Sequence, residues 1–420
     1  MPILGIISSA GYQRIPNAPT IGTATAGNAS ATVTFTASGT GPVATSFTAT
    51  SSPSSLTGTS ATSPITVSGL TNGTPYTFTV TATNASGTSS ASAASNSITP
   101  VQPLSIAVTF FSSPRVSAYP FSSGFGTKYA DPGTLPTNGA RGVAFRPQGD
   151  DIAVGHDTTP FISTYPWSPG FGSKYADPAT LPTGTGFGVA FNAAGNAIGV
   201  AHSTSPLIST YPWSAGFGTK YANPATLPAG FGVGVAWNPA GSNIAVSHGT
   251  TPRISVYPWS SGFGTKYSNP GTVPTGTGYG VAFLNSEIAV AHYSTPFISA
   301  YPFSSGFGTK YANPGTLPTG NGRSVTWNPG GTNIAIAHDT SPFISAYPWS
   351  GGFGTKYSNP ATLPTGGGYG VAINSAGNVL SVSHTTTPFI SAYPWSSGFG
   401  TKYANPATLP ASDGRRVAFG

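Results

Sequence analysis

The sequence predicts an all-β chain of two domains, a β-sandwich followed by a seven-bladed β-propeller closed by strand exchange between its termini. Three observations carry this. Short runs of alternating apolar and polar residues are separated throughout by Gly, Pro, Asn and Ser. From residue 104 onward one unit recurs, marked by lysines at 128, 174, 220, 266, 310, 356 and 402, so the spacings are 46, 46, 46, 44, 46 and 46. The two ends of that region are complementary parts of one unit.

Composition agrees. Gly 56 and Pro 41 are high, but 38% hydrophobic and 12% aromatic residues are more than a disordered low-complexity chain carries. Charged residues make up only 5%, leaving little material for acid–base networks. The net charge of +7 comes from 15 Lys and Arg against 8 acids, too sparse for a duplex-DNA footprint, so no nucleic-acid partner is expected. With Cys 0, neither disulfides nor thiolate metals contribute.

In chain order, residues 1–16 are an N-terminal segment whose apolar run of five residues has no basic residue before it, unlike a secretory signal. No stretch reaches the roughly 18 apolar residues of a membrane span, and no membrane insertion is expected. Residues 17–99 alternate as strands in "ATVTFTA", "TSFTATS", "SPITVSGL" and "YTFTVTATN", and residues 100–103 are a proline-rich linker. Residues 104–420 form the propeller. Each unit supplies strand a ("GVAF", Gly188–Phe191), b ("IAVSH", Ile244–His248), c ("FISAYPW", Phe343–Trp349) and d ("FGTKY", Phe217–Tyr221). The a–b turn is typified by "NPAG", Asn238–Gly241, and one copy shortens it to "LNSE", Leu284–Glu287, which accounts for the spacing of 44. The region opens with "LSIAVTFF", a b strand without its a strand, and ends with "RRVAF", Arg415–Phe419, an a strand without its b strand. Joined, they complete a seventh blade and leave no unpaired inner edge.

Every lysine lies in the strand-d hexapeptide: Lys128, Lys174, Lys220, Lys266, Lys310, Lys356 and Lys402. Lysine on an outermost strand guards against edge-to-edge pairing. The alternative is a basic collar for anionic polysaccharide or lipid headgroups. All six histidines (His156, His202, His248, His292, His338, His384) end strand b, with Phe110 in the remaining copy. Equivalent positions in different blades are too far apart to share a metal ion, so the histidines are expected to cap the b–c turn and no metal or other cofactor is expected. Trp167, Trp213, Trp259, Trp349 and Trp395, exchanged for Phe121 and Phe303, read as packing between blades.

The most site-like feature is where the repeat stops repeating. Two residues before the strand-a valine the sequence runs Arg141, Phe187, Val233, Tyr279, Arg323, Tyr369, Arg415, while its neighbours barely change. The residue after each histidine also varies: Asp157, Ser203, Gly249, Tyr293, Asp339, Thr385. In propeller topology both positions ring one mouth of the channel, where Arg and aromatic side chains anchor ligands. Candidate ligand residues are therefore Arg141, Phe187, Tyr279, Tyr293, Arg323, Tyr369 and Arg415, set against ordinary drift at tolerant loop positions. The eight acids are scattered over different repeat positions and no glycine elbow surrounds a serine, so no catalytic residue is assigned.

Three resemblances extend this reading. The segment "SGLTNGTPYTFTVTATNASGTSSAS", with Leu70 at a core leucine and Tyr76 at a tyrosine corner, resembles the fibronectin type III family, with Phe35 where that family usually has tryptophan. The pattern "VAFNPAGNxIAVAH…PFISAY" resembles WD40 and YVTN/lactonase-like propellers, with "YPW" near the place of the Trp–Asp pair. The opening "MPILGIISS…RIPNAPTIGTATAG" followed by a fibronectin-like module resembles the N-termini of structural proteins of environmental tailed bacteriophages, over about the first 100 residues. That likeness implies a non-catalytic virion protein, attached to other virion proteins through the sandwich and displaying the propeller toward host surface glycans. A secreted adhesin or lectin, and a lactonase-like enzyme with acids and a metal at the channel mouth, are the alternatives.

Overall fold

Every regular element among the described residues is a β-strand. The computed structural model describes residues 14–101 and 103–420, and the chain divides into two units, residues 1–103 and 104–420. Most of the N-terminal segment 1–16 lies outside the described residues.

The first unit is a sandwich of two antiparallel sheets. One contains Thr20–Gly27, Ser30–Thr36 and Ile65–Ser68; the other contains Thr57–Ser60, Ser46–Ser52, Thr77–Asn84 and Gly87–Thr88. Strand alternation sends Val33, Phe35, Phe47, Ala49, Val67, Phe78 and Val80 into the shared core. Tyr76 is buried there, and its hydroxyl accepts a hydrogen bond from the Thr71 backbone N–H at 3.1 Å, the corner expected from the sequence. Beyond Thr88 a regular strand gives way to Ser89, Ser92 and Ser95. Each Oγ accepts from a backbone N–H of Thr77–Asn84 (Ala82, Val80 and Phe78), at 2.9–3.0 Å.

The second unit contains seven three-stranded antiparallel sheets. Numbered by their inner strands, the first comprises Ala140–Phe145 (inner), Asp151–His156 (middle) and Ile162–Pro166 (outer). The middle strand has neighbours on both edges and both faces, which is why its sequence is almost continuously apolar and all its residues are buried. Apolar clusters bridge consecutive sheets: Ala153 and Ile162 of the first pack with Val189, Phe191, Val200, Tyr211 and Trp213 of the second. The seventh sheet is built from both ends of the unit, Arg416–Phe419 pairing with Ser105–Thr109 in the register Val417↔Val108. It packs on the sixth through Val379 and Ile390, and on the first through Ala107 and Ala118 against Val143 and Ile152.

The fourth strand of each blade is the correction. "FGTKY" is not a strand; it meets the outer strand through one isolated bridge, Trp213↔Phe217 in the second sheet, and through the Gly218 and Tyr221 N–H groups donating to Pro212 and Thr210 carbonyls at 2.9 Å. The hairpin is too tight and glycine-rich for a continuous ladder: Gly216 sits at φ 140 and Ala215 at φ 52, conformations that interrupt pleating.

Candidate ligand site at the channel mouth

Each of the first six inner strands carries a register shift at the same place. In the first sheet Ala140 pairs with His156 and Gly142 with Gly155, so Arg141 is the extra residue between them. The same bulge releases Phe187, Val233, Tyr279, Arg323 and Tyr369. A bulge re-aims one side chain and bends the strand, and here the re-aimed residue is always the variable one. The next residue is Gly142, Gly188, Gly234, Gly280 or Gly370, with Ser324 as the exception. A Cβ at Gly188 would stand 2.7 Å from the Val233 carbonyl oxygen, so inner strands meet backbone to backbone just below the bulge.

One cavity of about 270 Å³ lies at this level, lined by Arg141, Phe187, Phe231, Val233, Tyr279, Arg323, Tyr369, Arg415 and Arg416. Six of the seven sequence candidates therefore lie on one wall system, and Tyr293 stands beside it, 6.4 Å ring to ring from Tyr279. Arginines and rings alternate around the mouth. The Arg141 guanidinium lies 4.8 Å from both the Phe187 and Phe111 rings, Arg415 lies 3.9 Å from Phe111 and 4.7 Å from Tyr369, and Arg323 lies 5.1 Å from Tyr369 and 4.6 Å from Tyr279. Phe187 and Phe231 continue the belt at 6.4 Å. Contacts at these distances are attractive, so the belt holds its own rotamers.

The charges are matched except at one residue. Arg141 is paired with Asp157, Arg323 with Asp339 at 3.0 Å, and Arg415 with Asp413. Burial raises the Asp339 pKa, but hydrogen bonds from Asn321 and Arg323 outweigh it and hold the carboxyl below its usual range. Arg416 has no carboxylate; its Nη1 donates to the Tyr369 and Arg415 carbonyls. Burial, and then the charges of Arg323, Arg415 and Arg141, push its pKa down to about 10. The Nε groups of Arg323 and Arg415 are buried and have no partner.

Phe231, Phe111 and Arg416 were not among the sequence candidates, yet each left a signal. Phe231 stands two residues before Val233, just ahead of the inner strand Gly232–Trp237, and supplies the ring its blade lacks at the bulge. Phe111 occupies the variable position after the histidine, in the copy where Phe110 replaces histidine. Arg416 breaks a column of glycines.

The lysines are elsewhere. Lys128 and Lys174 are only 14% and 13% exposed in their side chains, and each binds the residue three positions on, Asp131 and Asp177. Lys220, Lys266, Lys310, Lys356 and Lys402 bind Asn223, Asn269, Asn313, Asn359 and Asn405 in the same way. With no continuous strand d to project from, they fold back over the hairpin rather than standing out as a collar or an edge guard. All six histidines set Nε2 3.0–3.1 Å from a serine Oγ of the outer strand, and His202 and His338 cap the b–c turn as expected, with Nδ1 2.8 Å from the Thr204 and Thr340 carbonyls. The tryptophans pack between blades, Trp213 sitting 5.4 Å from Tyr175 and from Phe191. Two of them reach carboxylates, Trp213 Nε1 donating to Asp151 at 2.9 Å and Trp349 Nε1 to Glu287 at 2.8 Å.

With two sheets, a buried Leu70 and the Tyr76 corner in place, the comparison with known families is decisive for the first unit. Residues 17–98 are a fibronectin type III domain. No curated protein matches the sequence. The propeller is similar in fold to a candidate 6-phosphogluconolactonase from Bacteroides fragilis, at 11% identity and TM-score 0.61, covering 76% of this chain and 98% of that one. A second from Bacteroides uniformis aligns at 13% identity and TM-score 0.57, covering 76% and 99%. A Lactobacillus plantarum protein aligns at 13% and 0.59, covering 76% and 99%. These likenesses establish the fold of the region following the fibronectin type III domain and nothing about its chemistry.

Proposed function

We propose that this chain is a non-catalytic binding protein whose propeller presents the channel mouth to a ligand, on the surface or tail of a phage particle. In this reading the fibronectin type III domain attaches it to other virion proteins and the mouth meets host surface glycans. One observation carries the binding role: the repeat varies at its bulged position, and there it supplies arginines and aromatic rings to a single cavity. Rings stack on sugar faces and guanidinium groups donate to sugar oxygens, so the combination suits a carbohydrate. The phage setting draws on the likeness of the N-terminal region to phage structural proteins.

Replacing Arg141, Tyr279 and Tyr369 together by Ala is expected to lower attachment to cells of the source culture by about ten-fold or more. Attachment equal to the parent protein would remove the mouth from the mechanism. Immunogold labelling with antibody against residues 104–420 tests the setting: gold on particles is expected, and gold on cell envelopes with bare particles would favour an adhesin. The lactonase-like alternative has the fold likeness in its favour. It requires a free carboxylate at the mouth, whereas Asp157, Asp339 and Asp413 are each engaged by an arginine.

A further inference from the structure

Arg416 is the only long side chain in a column that is otherwise glycine or serine: Gly142, Gly188, Gly234, Gly280, Ser324 and Gly370. It lines the mouth cavity and also a second, smaller cavity of about 90 Å³ bounded by the inner strands beneath. It therefore stands as the floor of the first and the roof of the second. Three arginines of the mouth have an aspartate each and Arg416 has none, so the cluster carries one uncompensated positive charge. Its Nη1 hydrogen bonds go to backbone carbonyls, which leave the cation unneutralised. The unpartnered Nε donors of Arg323 and Arg415 belong to the same wall.

Resting on the reading of the mouth as a carbohydrate site, we propose that the mouth selects an acidic sugar, taking one uronate residue with its carboxylate on Arg416 and its ring against the aromatic belt. A guanidinium meets a carboxylate through two parallel N–H donors, and the pair gains strength where water is excluded. The cavity has room for a sugar residue rather than a folded chain, and the aspartates do not repel the ligand because their charges are already spent on Arg141, Arg323 and Arg415. The glycine column explains why one blade alone provides the anchor: a second long side chain at this level would strike the neighbouring inner strand.

The test is calorimetric titration of the full chain with tetragalacturonate and with its methyl ester, which keeps the skeleton and removes the charge. The acid is expected to bind about ten- to a hundred-fold more tightly, the range for a hydrogen bond to a charged group. R416G, which installs the residue of the other blades, and R416Q, which keeps most of the bulk, are each expected to bring acid and ester to equal affinity. Urea midpoints check that the variants fold, and R416Q decides if R416G does not. Equal binding of acid and ester by the parent protein, or an acid preference that survives R416Q, overturns the acidic-sugar inference and leaves the mouth as a neutral-glycan site. Binding of neither probe also overturns it, and the attachment assay with the Arg141, Tyr279 and Tyr369 variant then decides separately whether the mouth binds at all.

Discussion

Six histidines are fully buried, and burial pushes each pKa down to about 4. In the unfolded chain histidine titrates near 6.5, so below that pH the unfolded state binds more protons than the folded one. Stability is therefore full above pH 6.5 and is lost as pH falls toward 4, by about 1.4 kcal/mol per pH unit for each histidine. The six losses act in the same direction, so acid destabilises the propeller steeply within that window. The propeller is expected to unfold cooperatively between pH 6.5 and 4, followed by circular dichroism, and H338Q should lower the steepness by about one proton. A flat midpoint across that range would mean the histidines titrate normally. Asp151 offers a second residue-scale test. It accepts from Trp213 Nε1 and, at 2.8 Å, from the Tyr175 hydroxyl. D151A should cost about 1–3 kcal/mol in urea unfolding, and D151N should cost a similar amount, because the amide keeps an acceptor for the Tyr175 hydroxyl but turns an N–H donor toward Trp213 Nε1.

At the scale of the element, the inner strand combines a bulge that frees one side chain with a glycine that lets the adjacent strand approach. Gly188 shows the second requirement, since its neighbours include the Val233 carbonyl, Gly234 Cα at 3.1 Å and Val235 N at 3.1 Å, all backbone. G188A should therefore destabilise the propeller by about 1–3 kcal/mol through displaced strands, measured as a lowered urea midpoint at unchanged m-value. An unchanged midpoint would mean that the sheets part without penalty. The outer hairpin makes the complementary point. Aromatic contacts attach it alongside the Gly218 and Tyr221 hydrogen bonds: Phe217 lies 5.0 Å from Trp213 and 5.3 Å from Tyr211, ring to ring.

For the whole molecule, the seventh sheet depends on residues more than 300 positions apart. Besides the Val417↔Val108 pairing, the Tyr119 hydroxyl donates to the Thr408 carbonyl at 2.9 Å, the contact that in the other blades joins residues close in sequence. We read this pairing as closure of the ring by the termini. Removing residues 415–420 would leave Ser105–Thr109 with an open edge and is expected to lower the propeller's melting transition sharply and promote association. The fibronectin type III domain, whose core is its own, should keep its transition. A propeller transition unaffected by the truncation would contradict the closure.

Much was legible in the sequence because a propeller writes its period directly. The 46-residue spacing, the split unit at the ends, the histidine caps, the interblade tryptophans and the Tyr76 corner all follow from local chemistry repeated at fixed intervals. The mouth positions were visible for the same reason, as breaks in an otherwise constant pattern. Three things were decided only by tertiary structure. The lysine hairpin turned back on itself because φ values at Gly216 and Ala215 interrupt the ladder, which no residue count reveals. The bulge that aims the variable residue is a property of register between strands. Arg416 acquired its place because the terminal strand Arg416–Phe419 brings arginine where the other sheets bring glycine or serine, and its lack of a counter-ion emerges only once residues from along the whole unit line one cavity.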